Sequence, residues 1–166
     1  MNILEDITSA LFGEMKAEIR ELWLWPMTAR LGEPLRYRMV IFPKENVELT
    51  NIMIRLICFE RGVHGHGKNR YIKTYGIYED RRDLGPGILT AAQPMNLEGE
   101  FIIPRTLPSS FIGRYNSIVW NVEARLMISN WPDVVKNIEI KVIPYQYPYN
   151  QTIPENAQTQ NIVPAK

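Results

Sequence analysis

The sequence predicts an all-β chain: a two-sheet antiparallel β-sandwich, preceded by a short helix and followed by an irregular tail. Three observations carry this. From about Ala17 the apolar residues recur with a period of 2, the spacing of a strand with one buried face. The alternating segments are rich in Val, Ile, Tyr and Trp, whose branched or flat side chains suit a pleated, half-buried surface. Gly, Pro, Asn and Asp fall between these segments at the intervals of a small sandwich.

At the start, Ile3, Leu4, Ile7, Leu11, Phe12 and Met15 stand at helical spacing, which predicts an amphipathic helix over residues 1–16. Its charges are Glu5, Asp6 and Glu14 before Lys16, so it lacks the cations that anionic headgroups attract. Docking on its own domain or on a partner is the expectation. Strands are predicted at residues 17–25, 35–42, 52–60, 70–78, 100–104, 117–128 and 135–143, with turn signals at Leu31-Gly32-Glu33-Pro34, at 43–50, at 62–68 and at Leu84-Gly85-Pro86-Gly87. The clearest is 117–128. There Ile118, Trp120, Val122, Ala124, Leu126 and Ile128 form a core face, against Asn121, Glu123 and Arg125 on a wet one. Ile138, Ile140 and Val142 repeat the pattern, with Glu139 and Lys141 outward.

A chain of 166 residues holds one core, which places a single domain at 17–143. After Pro144 the composition turns to Pro, Gln, Asn and Tyr, with only Glu155 and Lys166 charged. Such a segment buries too little apolar surface to offset its ordering entropy, so 144–166 is expected to be an extended tail.

The hydrophobic and charged fractions, 45% and 22%, are those of an ordinary globular protein, and no apolar run approaches the roughly 18 residues of a bilayer span. No transmembrane segment is expected. The 19 Lys and Arg nearly cancel the 18 Asp and Glu, and a net charge of +1 gives no broad field for nucleic acid. Cys58 is the lone cysteine, and the acidic start lacks the Lys or Arg of a secretory signal. A reducing, cytoplasmic setting is the expectation.

His64-Gly65-His66 brings two imidazoles within reach of one ion. A zinc centre takes three or four ligands, and the nearest others, Cys58 and Glu60, lie up the preceding strand. The segment reads as a Gly-rich hairpin tip, and no metal or other cofactor is expected. Cys58 alternates with Ile54 and Leu56 and reads as a buried, inert thiol. Ser109-Ser110 lacks the Gly-x-Ser-x-Gly setting of a hydrolase nucleophile, and no phosphate-cradling Gly-rich loop opens a helix. Glu79-Asp80-Arg81-Arg82-Asp83 reads as a solvated loop of mutually satisfied charges. With no complete set of reactive groups, a binding domain is expected and not an enzyme. Candidate binding residues are Trp23 and Trp25, on one strand face as either a stacking platform or core, and Tyr145, Tyr147 and Tyr149, as anchors of a tail in polyproline geometry.

Leu107-Pro108-Ser109-Ser110-Phe111-Ile112-Gly113-Arg114-Tyr115-Asn116-Ser117-Ile118-Val119-Trp120 is similar to a segment of arrestins and arrestin-domain proteins. In that family a Leu-Pro, a Ser-Phe or Ser-Tyr, a Gly-Lys or Gly-Arg and a Ser-Ile or Ser-Val precede a long aromatic-containing strand. Leu31-Gly32-Glu33 resembles the Gly-Glu that opens the family's second strand, and Ile54-Arg55-Leu56 resembles the strand after it. Bacterial sporulation-control proteins share this outline. Over about residues 17–143 the resemblance implies a single arrestin-like, immunoglobulin-like sandwich. Classical arrestins pair two such sandwiches; their first-strand phosphate-sensing lysines have no match here, and no Pro-Pro-x-Tyr occurs in the tail. Receptor binding and ubiquitin-ligase recruitment are therefore not implied. What the resemblance does imply is an adaptor or scaffold that binds protein partners through sheet edges, loops and tails; an unpaired strand edge, the N-terminal helix and the tail make self-association a further expectation. The alternative is a carbohydrate or small-ligand module built on Trp23 and Trp25.

Overall fold

A computed structural model describes residues 15–146. They form β1 (Ala17–Trp25), β2 (Thr28–Arg30), β3 (Pro34–Pro43), β4 (Val47–His64), β5 (Tyr71–Asp83), β6 (Gly87–Leu89), β7 (Met95–Ile102), β8 (Phe111–Ile112), β9 (Asn116–Ile128) and β10 (Val134–Ile143), with a single 3-10 turn at Gly67–Asn69. β1, β3 and β7 make an antiparallel three-stranded sheet, in that order. The second sheet has seven strands and runs β2–β10–β9–β4–β5, with β6 added to β4 and β8 to β9; β2 is parallel to β10. Among the described residues no helix is long and apolar enough to cross a membrane.

The core lies between the sheets. Ile19, Leu22, Leu24, Leu35, Met39 and Phe101 of the smaller sheet meet Ile54, Leu56, Trp120, Val122, Leu126 and Ile140 of the larger one. On β1 the alternation slips between Ile19 and Leu22, because a register shift between Ile19 and Glu21 leaves Arg20 and Glu21 both outside. Trp120 is wholly buried, and its Nε1 donates to the Pro108 carbonyl at 3.0 Å. The next turn of that loop is tied to β10: Ser110 N donates to Val142 O at 2.7 Å, and Val142 N to Ser110 Oγ at 2.8 Å. The chain then enters β8 and hairpins into β9. The segment that resembles arrestins thus seals the central tryptophan and delivers β9, a central core strand.

Several expectations are corrected. Residues 79–83, read as a loop, continue β5, because they pair in register with Met53 to Ile57 of β4; their charges are matched along the strand, Arg81 with Asp83 at 2.8 Å and Arg82 with Asp80 at 2.9 Å. The strand expected at 100–104 is Met95–Ile102. Its period is masked at Gly99, a core-side position where a Cβ would collide with the Tyr37 hydroxyl. β2, β6 and β8 were not foreseen, being too short to show a period. Met15 and Lys16, assigned to the helix, are not helical; the rest of that helix, and the tail beyond Gln146, lie outside the described residues.

Trp120→Ala removes the largest side chain of the core and is expected to destabilise the fold by about 3–5 kcal/mol. Urea unfolding followed by far-ultraviolet dichroism measures it.

Candidate functional site

A sheet edge presents unpaired N–H and C=O groups, which natural proteins blunt with bulges, brevity, cover or inward charges. The β1 edge is bulged, and Lys136 Nζ donates to the Ile19 and Arg20 carbonyls at 3.1 and 3.0 Å. β2 and β6 are three residues each. β5 carries a register shift opposite Cys58 and Phe59, and Asp80 and Arg82, paired with Leu56 and Ile54, point to the core side. The Arg82 guanidinium there stands 5.7 Å from the Phe101 ring. β7 has none of these devices. It pairs with β3 in unbroken register from Met95 to Ile102, contains neither Pro nor Lys, and points Met95, Leu97 and Phe101 inward. Among the described residues no strand and no backbone hydrogen bond of a loop reaches β7 from the side away from β3.

The outer face beside this edge is built in rows. Trp23 lies opposite Arg38 and Trp25 opposite Arg36. Arg38 reaches Glu98 at 3.8 Å and Asn96 at 3.3 Å, and Arg36 reaches Glu100 at 3.5 Å. Trp23 and Trp25 are 63% and 46% exposed, so the structure takes the surface reading of these residues and gives the core position to Trp120. The outer face of the larger sheet differs. Glu123, expected on a wet face, is 7% exposed, because β9 is central and two arginines close over it. Arg55 bonds Glu123 at 3.1 Å and Glu79 at 3.2 Å; Arg125 bonds Glu123 at 3.2 Å and Asp133 at 3.3 Å. The bond to Glu123, more than any other contact, holds the Arg55 guanidinium further above its ordinary range.

His64 stacks on Tyr71 at 5.7 Å between ring centroids and meets Tyr75 edge-on at 6.2 Å, while His66 stands in the following turn. Glu60 accepts from Asn116 Nδ2 at 3.3 Å and Cys58 is buried in the core, so these four residues do not converge. Among the described residues no three His, Cys, Asp or Glu are grouped to hold an ion. Tyr145 is half-buried, with the Arg105 guanidinium 4.3 Å from its ring, and so packs on the sandwich as part of its wall. Tyr147 and Tyr149 lie outside the described residues.

With this geometry in hand, comparison with solved structures finds the crystal structure of Spo0M, the sporulation control protein from Bacillus subtilis, at a TM-score of 0.63. The fold is the arrestin-like sandwich of Spo0M. The two are 17% identical, and the match covers 80% of this chain and 51% of Spo0M, so this chain spans about half the length of Spo0M. No protein-family model and no curated protein matches the sequence.

The β7 edge escaped sequence reasoning because openness is a property of the sheet order; the only local signal was the alternation of Met95, Leu97 and Phe101 with Asn96, Glu98 and Glu100, interrupted at Gly99. For Cys58, burial pushes the thiol from 9.0 up to about 11. Between these values the unfolded thiol ionises and the folded one does not. The group therefore leaves stability unchanged below pH 9.0 and lowers it as pH rises toward about 11, in the same direction as the burial-raised Tyr37 and Tyr78. Urea melts across this window are expected to weaken steadily, and a disulfide reagent at pH 8 to label Cys58 no faster than the chain unfolds.

Proposed function

We propose that the chain is a non-enzymatic protein-interaction domain, an adaptor or scaffold, which takes a strand of another chain along β7. The observation that carries this is the contrast between edges: β1 and β5 are bulged and capped or charged, while β7 is regular and bare. In strand addition the main chain supplies affinity and the alternating side chains supply selectivity. A partner strand here meets the half-buried Leu97 and Met95 on one face and the Glu98 and Glu100 row on the other. A second copy of the chain can supply that strand, which makes self-association part of the proposal. The buried thiol of Cys58 fits a reducing, cytoplasmic setting. Leu97→Lys places an inward charge on β7, the device already present on β5. It is expected to abolish self-association seen by light scattering and to release the proteins crosslinked along β7, with the fold retained by dichroism. An unchanged mass and an unchanged crosslinked set would sink the reading.

A second reading rests on the exposure of Trp23 and Trp25, side by side on one face with Arg36 and Arg38. Indole faces stack on the apolar faces of sugars and other flat ligands, and the alternative function is a carbohydrate or small-ligand module. Tryptophan fluorescence titrated with a glycan panel is expected to shift for a bound sugar in the parent chain and not in Trp23→Ala; a silent panel removes this reading.

A further inference from the structure

The net charge of +1 conceals a segregated surface. β4 and β5 run on as a hairpin past the end of β9, and the β8–β9 hairpin stops beside it: Gly62 lies opposite Asn116, and Val63 N donates to Tyr115 O at 2.7 Å. Residues 61–78 and 111–122, which make these two tips and the strands behind them, hold Arg61, Lys68, Arg70, Lys73 and Arg114 and no Asp or Glu. All five cations are exposed. Among them stand apolar side chains turned to solvent: Ile112 at 88% exposure, Ile72 at 67% and Tyr71 at 59%, with Val63 and Tyr115 beside them. Neither the three-stranded sheet nor any other described element packs over the far end of β5, whose strand contacts are with β4.

Exposed aliphatic and aromatic side chains ringed by Lys and Arg, with Glu60 tied to Asn116 behind the tip and Glu139 beside Ile112 as the nearest acids, have two complementary needs: an apolar layer to enter and a negative layer above it. We propose that this end of the sandwich docks on an anionic lipid bilayer, with Ile72, Ile112 and Val63 entering the headgroup–acyl boundary, Tyr71 and Tyr115 at headgroup level, and the five cations against the lipid phosphates and carboxylates. Single-stranded nucleic acid shares the need for cations and aromatic rings, but gives Ile72 and Ile112 nothing to bury against, because bases stack on flat rings. β5 reaches β7 through Arg82 and Phe101, near the end of the strand away from the tip. The bilayer face and the β7 edge are thus separate surfaces of one molecule.

The test is flotation of the full chain with vesicles of phosphatidylcholine, with and without phosphatidylserine. Binding to the anionic vesicles, little to the neutral ones, and release by salt are expected. Each cation removed weakens partitioning about fivefold, so Arg70→Ser with Lys73→Ser gives about a 25-fold loss. Ile72→Ser with Ile112→Ser also lowers binding, at an unchanged melting temperature, because both side chains are exposed in the folded state. Failure to float with anionic vesicles overturns the proposal. So does binding that survives the isoleucine substitutions, which reduces the tip to a charge effect, or tighter binding to a single-stranded oligonucleotide that ignores those isoleucines.

Discussion

The pairing of β4 with β9 runs from Leu49 opposite Ile128 to Gly62 opposite Asn116, and the other long strands of the larger sheet hang from it. β5 adds to the free side of β4 and β10 to the free side of β9. This ladder is longer than the three-stranded sheet can cover. Where cover exists, the inward residues are Ile54, Leu56, Cys58, Val122 and Leu126, and a complete core forms. Where cover ends, at Trp120, the chain brings in residues 107–112 as a lid whose Pro108 carbonyl accepts the indole hydrogen bond. Past that point nothing described covers the face, and the inward positions change character to Glu60, His64, Tyr71 and Tyr75. The transition from apolar to amphipathic along one strand follows directly from the unequal size of the two sheets.

The charges obey the same geometry. On the flanks of the sandwich, Arg and Glu alternate across strands and neutralise one another: Arg36 with Glu100, Arg38 with Glu98, and Arg55 and Arg125 about Glu123. Exposed pairs of this kind contribute little each, about 0–1 kcal/mol, whereas Glu123 sits where leaving either arginine unpaired carries a larger penalty. At the hairpin tips the cations outnumber the acids: residues 61–78 and 111–122 hold no acid, and Glu60 behind them bonds Asn116. A whole-chain count averages the two regions to near zero, so the cationic tips do not show in it.

The legible part of the fold was wherever one strand face is core and the other water. β1, β3, β9 and β10 meet that condition, and their bounds from sequence fall within a residue or so of the structure. β5 does not, since its inward positions carry Asp80 and Arg82, and a charge run looks like a loop when the partner strand that straightens it is unknown. β7 is interrupted by Gly99, a gap that exists only to admit the Tyr37 ring from the neighbouring strand. Glu123 read as solvated because burial on the outer face depends on β9 being central and on arginines from two strands. Trp23 and Trp25 were placed on one face but not inside or outside, since alternation fixes a face only relative to the bulge at Ile19 and Glu21. In each case the missing quantity was a neighbour in space.

That distinction also explains why the edges, and not any cluster of reactive side chains, carry the functional reading. Reactive groups advertise themselves by residue type, and here Cys58 lies in the core, Glu60 bonds Asn116 and His64 stands between tyrosines, while exposed His66 belongs to no ligand cluster among the described residues. An edge advertises itself by what it lacks. On β5 the chain accepts two charges facing the core and a bulge, at a cost in packing, and at β1 it spends a lysine on two carbonyls. The edge two strands from β1 receives no such protection although it is regular and apolar on its inner face, conditions under which a bare strand is a template for any passing chain. Protection that is applied to one edge of a sheet and withheld from the other distinguishes a surface kept apart from a surface kept ready, and on the proposed reading β7 is the latter.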